Sequence, residues 1–414
     1  MSCPCCRPGG DSSDGEEEEE EEEDVGLLDM SAMKDRVQYL VDSGISQIPA
    51  AFIRPVDERP LGVKGFDRIP VVDMSEVDGK GRERIRAEVG KACEEWGFFQ
   101  VVNHGVKKSV LDVMRKDGRA FFQQPMEQKL KYSCTPGVIA SEGYGSKMLT
   151  KDEQLLDWRD YYDLHTLPMD SVVKYSDQMK WLAEKILELI SESLGLPGTY
   201  LKEALGEVSQ NVSVNYYPVC PQPDLTLGLQ AHSDLGAITI LMQADIPGLQ
   251  VKKDDSWIAV EPVEDALVVN LGDMMEVDQQ QQQPLRFLLL DASAFVRFAF
   301  YNFVVLFLSN NVFVHSTDME INRRQIARWS RQVLTNGRYK SVEHRAVVNS
   351  ERDRLSIATF LDPAKDRTLS PAKALVDDKH PLLYRDVLFS EFISAWYSKG
   401  PDGKRNIDNL ILPL

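Results

Sequence analysis

Between Val212 and Leu271 the chain breaks into short apolar runs: Val212–Tyr217, Thr239–Met242, Leu249–Val251, Trp257–Val260 and Ala266–Leu271. Gly, Pro or Asp closes most of them. Runs this short, rich in β-branched and aromatic residues and bounded by turn formers, read as strands. Many short strands bury their apolar faces by pairing two sheets, so the spacing predicts a double-sheet jelly roll. Alternation sharpens the prediction. In the first run Val212, Val214 and Tyr216 share one face, and Asn215 and Tyr217 share the other.

The same period-two device recurs with chemistry on it. His232 and Asp234 are two apart at the head of Leu235–Leu241, so a strand would point imidazole and carboxylate the same way. His344 lies downstream in Val342–Asn349, and ten residues later Arg354 and Ser356 alternate in Arg354–Phe360. Two His and one Asp on one face form the facial triad used by non-haem iron(II). A guanidinium fork beside a hydroxyl suits a carboxylate. His-x-Asp alone is a weak signal and reads first as a polar strand edge. Zinc accepts the same three ligands, but would leave Arg354, Ser356, Asn215 and Tyr217 without a purpose.

Together these motifs resemble the plant iron(II)- and 2-oxoglutarate-dependent dioxygenases, in the branch holding flavonol synthase, anthocyanidin synthase and jasmonate hydroxylases. The likeness covers about residues 35–277 and 334–412. It includes Trp96-Gly97-Phe98-Phe99 through Asn103-His104-Gly105-Val106, and Asn215-Tyr216-Tyr217-Pro218. The resemblance implies an α+β fold: a double-stranded β-helix (jelly roll) core with flanking helices from an N-terminal region. It implies iron(II) on His232, Asp234 and His344, and 2-oxoglutarate held by Arg354, Ser356, Asn215 and Tyr217, with ascorbate in support. His104 is structural on this reading. The implied partners are dioxygen and a small metabolite such as a flavonoid or hormone, oxidised with release of succinate and carbon dioxide. Tyr144, Tyr161 and Phe360, with His165, are the candidate substrate contacts. Gly143–Gly145 reads as a loop at the substrate mouth. Arg345 and Arg352 are the basic residues placed to meet a substrate carboxylate.

Around the strands, Met33–Val41, Arg82–Glu95, Val110–Phe122, Met126–Tyr132, Tyr175–Leu196 and Leu383–Tyr397 read as helices. In the long one, Met179, Leu182, Ile186, Leu189, Ile190 and Leu194 form one core-facing stripe. Ile69–Met74, Gly97–Val102 and Leu156–His165 read as strands. The 414 residues, 43% of them hydrophobic, suffice for one large core. The expected division is a disordered acidic tail over 1–29, an N-terminal region over 30–170 and a jelly-roll region over 171–412. The formal net charge of −18 excludes a nucleic-acid partner. Asp11, Asp14, Glu16–Glu23 and Asp24 supply much of that charge. Cys3, Cys5 and Cys6 have no second cluster to complete a zinc site. With no apolar signal core at the N-terminus and no bilayer-length apolar run, the expectation is a monomer in the cytoplasm, or the nucleus, without a membrane.

Two stretches depart from the resemblance. Residues 278–333, opening with Gln279–Gln283 and containing the apolar run Phe298–Leu308, have no counterpart and read as a non-family insertion. Only Met169, Asp170 and Ser171 lie where relatives carry a longer, Trp- and Pro-containing stretch. If these disrupt the site, the chain is instead a catalytically impaired jelly-roll binding protein. A scaffold acting through the acidic tail is a third reading.

Overall fold

The computed structural model describes residues 33–34, 36–60, 68–134, 142–146, 155–164, 170–243, 245–275, 334–336, 338–382 and 385–399. The acidic tail, His165, the short stretch at 165–169 and all of 278–333 lie outside these residues.

The strands are β1 Val71–Asp73, β2 Phe98–Val102, β3 Gly143–Gly145, β4 Asp160–Leu164, β5 Ser209–Tyr217, β6 Leu229–His232 and β7 Ile238–Gln243. They continue with β8 Leu249–Lys253, β9 Ser256–Ala259, β10 Leu267–Leu271, β11 His344–Ala346, β12 Arg354–Asp362, β13 Thr368–Leu369 and β14 Val387–Leu388. Eight of them form the major sheet, in the order β1-β2-β10-β7-β12-β5-β4-β3. Four form the minor sheet, β6-β11-β8-β9, and β13 pairs with β14. All ladders are antiparallel except β1–β2. Two stacked antiparallel sheets are the jelly roll that the strand spacing predicts.

The helices are α1 Val37–Asp42, α2 Arg82–Glu95, α3 Lys108–Phe122, α4 Met126–Leu130, α5 Asp170–Ser193, α6 Tyr200–Leu205 and α7 Phe389–Lys399. Two differ from the sequence reading. The long helix begins at Asp170 rather than Tyr175. The last begins at Phe389 rather than near Leu383, because Val387 and Leu388 are taken up by pairing with β13.

Alternation divides the major sheet into two faces. Outward, Val212 and Val214 of β5, Leu355 and Ile357 of β12, Ile240 of β7 and Val269 of β10 pack on the helices. Tyr175, Met179, Leu182, Ile186, Leu189 and Ile190 of α5 meet them there, fully buried. The predicted stripe is therefore core. Inward, Phe98 and Val268 meet Val251 and Ile258 of the minor sheet in a smaller apolar cluster. The same interior turns polar toward the other end, where β4, β5 and β12 bring side chains that an apolar core would not tolerate unpaired.

Gly97 makes the turn from α2 into β2. Its φ is +63°, and a Cβ there would lie 2.2 Å from the Lys340 carbonyl oxygen. Both that left-handed conformation and that close approach call for glycine. His104 sits in the turn after β2, buried. Its Nε2 is 3.0 Å from the Asp265 carbonyl oxygen and its Nδ1 accepts the Val106 N–H. It is structural, as the resemblance implies.

Candidate metal centre and co-substrate pocket

His232 ends β6 and His344 begins β11, and the two are register partners across the minor sheet. Their ring centroids lie 4.3 Å apart. Asp234 has left the strand. It lies in the loop after β6, which corrects the expectation of a shared strand face. What aims it is backbone from elsewhere. Asp273 N–H donates to Asp234 O at 2.6 Å, Gly272 N–H to Ala237 O at 2.9 Å, and Met274 N–H to Gly236 O at 3.0 Å. The result brings Asp234 Oδ1 3.6 Å from both imidazole Nε2 atoms. All three ligand atoms fall within 4.8 Å of one another.

The remaining polar atoms of the three side chains are engaged. His232 Nδ1 lies 2.8 Å from the Gln230 carbonyl oxygen and His344 Nδ1 lies 3.2 Å from that of Val342. A proton held there leaves each Nε2 lone pair facing the cluster, as metal-ligating histidines require. Asp234 Oδ2 accepts from Thr239 Oγ1 at 2.6 Å and Asn270 Nδ2 at 2.7 Å. Oδ1 is left to the cluster. Thr239 and Asn270 face each other across β7 and β10.

Electrostatics agree with a cation site. Burial, then the neighbouring His232, pushes His344 down to about 4, so it is neutral at physiological pH. Burial opposes a charge on Asp234, yet His344, His232 and the Thr239 hydroxyl hold its carboxyl well below the usual range. Burial also lowers His232, but Asp234 outweighs it and raises the imidazole. A buried carboxylate between two imidazoles, each with one nitrogen committed outward, fits a divalent ion such as iron(II).

A second pocket lies on the inner face of the major sheet. Arg354 and Ser356 of β12 stand opposite Tyr217 and Asn215 of β5. All four side chains are buried. Arg354 Nε donates to the Ile246 carbonyl at 3.3 Å, Nη1 lies 3.5 Å from Ser356 Oγ, and the guanidinium sits 5.0 Å from the centre of the Tyr217 ring. Burial lowers the pKa of Arg354 and the Tyr217 hydroxyl opposes the fall. This is a desolvated fork braced from one side, suited to a carboxylate.

The candidate substrate contacts divide. Tyr161 of β4 stands opposite Asn215, and Phe360 of β12 opposite Thr239, so both share the inner face. Tyr144 does not. It belongs to β3, a strand rather than a loop, and pairs with Tyr162 on the helix-packed face. Its hydroxyl donates to Asp160 at 3.0 Å, and its ring meets Phe121 and Phe122. Arg345 follows His344 on a strand and therefore points away from it. It donates to Gln250 at 2.8 Å and lies 4.1 Å from the Trp257 ring centre. Arg352 is exposed and pairs with Asp245 at 3.2 Å.

Comparison with known proteins places this geometry. The 2OG-Fe(II) oxygenase superfamily matches residues 208–284 and 306–363, and the N-terminal family of the non-haem dioxygenase in morphine synthesis matches 69–184. The chain belongs to the 2OG-Fe(II) oxygenase superfamily. Jasmonate-induced oxygenase 4 of Arabidopsis thaliana is 36% identical over 401 residues, covering 91% of this chain and 96% of the relative. Flavanone 3-dioxygenase 2 of Oryza sativa subsp. japonica is 35% identical, covering 90% and 97%. The crystal structure of JOX2 in complex with 2OG, Fe and JA aligns with a TM-score of 0.71 at 34% identity, over 91% of this chain and 98% of that one. Like other 2OG-Fe(II) oxygenases, the protein is an oxidoreductase that uses iron(II) and 2-oxoglutarate.

The sequence reading missed Thr239 and Asn270, which fix the carboxylate. It also missed a buried group beside His232. Arg54 Nη2 donates to Asp157 Oδ1 at 2.6 Å, and the same oxygen accepts the Gln230 N–H at 2.9 Å. That pins β6 two residues before its histidine. No helix among the described residues is long and apolar enough to cross a membrane.

Proposed function

We propose that this oxygenase binds iron(II) through His232 Nε2, Asp234 Oδ1 and His344 Nε2. In this reading 2-oxoglutarate is anchored by Arg354 and Ser356, with Tyr217 and Asn215 beside it, and the protein oxidises a small plant metabolite of the flavonoid or hormone kind. The observation that carries the reading is the division of labour on Asp234 and the two histidines: every polar atom not facing the cluster is already hydrogen-bonded. The names of the relatives, jasmonate-induced oxygenases and a flavanone dioxygenase, support the substrate class.

What iron and oxoglutarate supply when bound is oxidation of a substrate C–H bond by dioxygen, coupled to conversion of oxoglutarate into succinate and carbon dioxide. The protein's residues position and exclude. Arg354 neutralises the distal carboxylate in a buried site, where a charge-assisted fork is strongest. Ser356 adds a hydroxyl donor on the same face. Thr239 and Asn270 keep the carboxylate of Asp234 from rotating. Val268, Leu241, Ala358 and Phe360 line the inner face with apolar surface, which suits a ring-bearing substrate and keeps water out.

The reading extends to organisation. Residues 171–412 carry the jelly roll and 30–170 its flanking elements. The acidic tail and 278–333 are dispensable for chemistry. The protein acts as a monomer on a small molecule in the cytoplasm.

The test is succinate release from oxoglutarate after iron(II) loading without oxygen and then admission of oxygen. His232→Ala is expected to abolish both release and metal binding. Arg354→Ala is expected to raise KM for oxoglutarate by about tenfold or more, the scale of a lost charge-assisted pair. Wild-type-like metal affinity in His232→Ala would refute the ligand assignment.

A further inference from the structure

The two histidines of the metal centre differ in what holds their strands. His344 stands on β11, which pairs with β6 on one side and β8 on the other. His232 stands on β6, the end strand of the minor sheet. An end strand has a ladder on one side only, and the polar groups of its other edge must be satisfied elsewhere. Here a buried ion pair meets that edge. Asp157 Oδ1 accepts the Gln230 N–H at 2.9 Å and a hydrogen bond from Arg54 Nη2 at 2.6 Å. The Gln230 carbonyl is the oxygen that faces His232 Nδ1 at 2.8 Å. Gln230 is thus fixed by a charge-assisted bond at its N–H and orients the imidazole with its carbonyl.

Arg54 is buried and opens a tight turn. Its own N–H donates to the Leu225 carbonyl at 2.9 Å, and the Glu58 N–H donates to the Pro55 carbonyl at 3.0 Å. Arg59 Nε donates to the Arg54 carbonyl at 2.9 Å, and the Arg54 and Glu58 side chains lie 3.7 Å apart. Pro55 locks one backbone angle of this turn. The far end of the turn meets the strand of the other histidine. Arg345, buried directly after His344, donates from Nη1 to the Glu58 carbonyl at 3.2 Å. Gln230 shares a strand face with His232, whereas Arg345 points to the face opposite His344. The turn therefore grips the paired strands from both faces. A buried ion pair adds little stability over apolar side chains of the same size. What it adds here is direction, because its bonds end on the residues beside the two ligands.

We propose that Arg54, acting through Asp157 and Gln230, and Arg345, acting through Glu58, are positioning residues of the metal centre. The turn between them clasps the two histidine strands and sets the affinity for the metal ion. The proposal rests on the ligand assignment given above and makes it depend on the N-terminal region. Arg345, which the sequence offered to a substrate carboxylate, serves the clasp instead. Both guanidinium groups hold backbone and take no part in proton or electron transfer.

The experiment uses the full chain with manganese(II) as the probe, in the presence of oxoglutarate and without iron, so that binding is read without turnover. Kd is measured by titration calorimetry at a temperature where circular dichroism shows each variant folded. Arg54→Met is expected to weaken manganese binding by about 10- to 100-fold, the range for groups that orient a metal ligand from behind. Arg54→Lys, which keeps the charge and loses the fork, should recover part of that loss. Arg345→Met should weaken binding by less, because β11 is paired on both sides. Combining Arg54→Met with Arg345→Met should cost less than the product of the single losses, since both arms act through one turn. Arg82→Met is the control. It breaks the ion pairs of α2 with α5 and should leave Kd within about twofold, having no partner in the clasp. A folded Arg54→Met chain that binds manganese within about twofold of the wild type overturns the proposal. So does an equal loss in Arg82→Met, which marks general destabilisation, or a double variant whose losses multiply in full. If Arg54→Met does not fold, Arg54→Lys and Asp157→Asn carry the same test, and unchanged affinity in both overturns the proposal. The ligand assignment fails separately, by wild-type manganese binding in His232→Ala.

Discussion

Asp234 Oδ2 takes hydrogen bonds from Thr239 and Asn270, and only the other oxygen faces the imidazoles. Losing either donor frees the carboxylate to rotate, so Asn270→Ala or Thr239→Val should weaken metal affinity by about 10- to 100-fold. A metal titration reads this, and circular dichroism should show the fold unchanged. Asp362, at the end of β12, gives a pH test. Burial first, and then Asp234, pushes its carboxyl up to about 7, against an ordinary 3.8. The folded state therefore holds this proton more tightly than the unfolded chain. The cost to stability is absent below about pH 4, grows as pH climbs to 7 and is constant above. Asp362→Asn should raise Tm at pH 8 by about 2–4 °C and leave it unchanged at pH 4. An equal shift at both pH values would assign the effect to packing. Much at this scale was legible. Period-two spacing put Arg354 with Ser356 and Asn215 with Tyr217. Thr239 and Asn270 were visible as polar residues within apolar strands, but spacing cannot say which carboxylate they face. Tyr144 went to the wrong face because only the pairing of β3 with β4 decides where it points.

The loop of Asp234 is shaped by the segment after β10. Gly272 is where the two backbones touch. A Cβ on it would lie 2.3 Å from the Gly236 carbonyl oxygen and 3.1 Å from that of Asp234. Backbone cannot swing aside as a side chain can. Gly272→Ala should therefore displace the loop, lower Tm by several degrees and cost more metal affinity than Asn270→Ala does. Unchanged metal binding would show that the loop is held by other means. The sequence pattern identified the strands and most helices, because burial on one face imposes its period on the residues. It did not reveal that Asp234 leaves the strand, since that geometry comes from a partner about 40 residues away. The end of α5 nearest the chain's N-terminus was missed for a different reason: apolar periodicity starts only once the helix reaches the core, at Val172 and Tyr175.

At the scale of the molecule, the chain departs after Met275 and is next described at Leu334, and the two ends meet. Leu334 N–H donates to Met274 O at 3.2 Å, and Thr335 Oγ1 donates to Met275 O at 2.9 Å. A chain lacking 278–333 would span Met274 to Leu334 with three residues, the length of a tight turn. That deletion should leave succinate release intact and improve soluble yield, because it removes the apolar run Phe298–Leu308. Equal solubility of the two forms would count against the idea. The motifs on either side made the fold legible across this stretch, since His232 and His344 must meet whatever lies between them.

The meeting of Met274 with Leu334 places an insertion point next to the backbone that holds the Asp234 loop. Any domain spliced in place of 278–333 enters beside Gly272–Met274, whose amides hold the Asp234 loop. Strain from such a guest would reach the metal site through those few bonds. A guest that changes the distance between its own ends on binding a ligand should change metal affinity with it, and by reciprocity metal should change the guest's affinity by the same factor. The oxygenase would then report, through its iron, on a ligand it never touches.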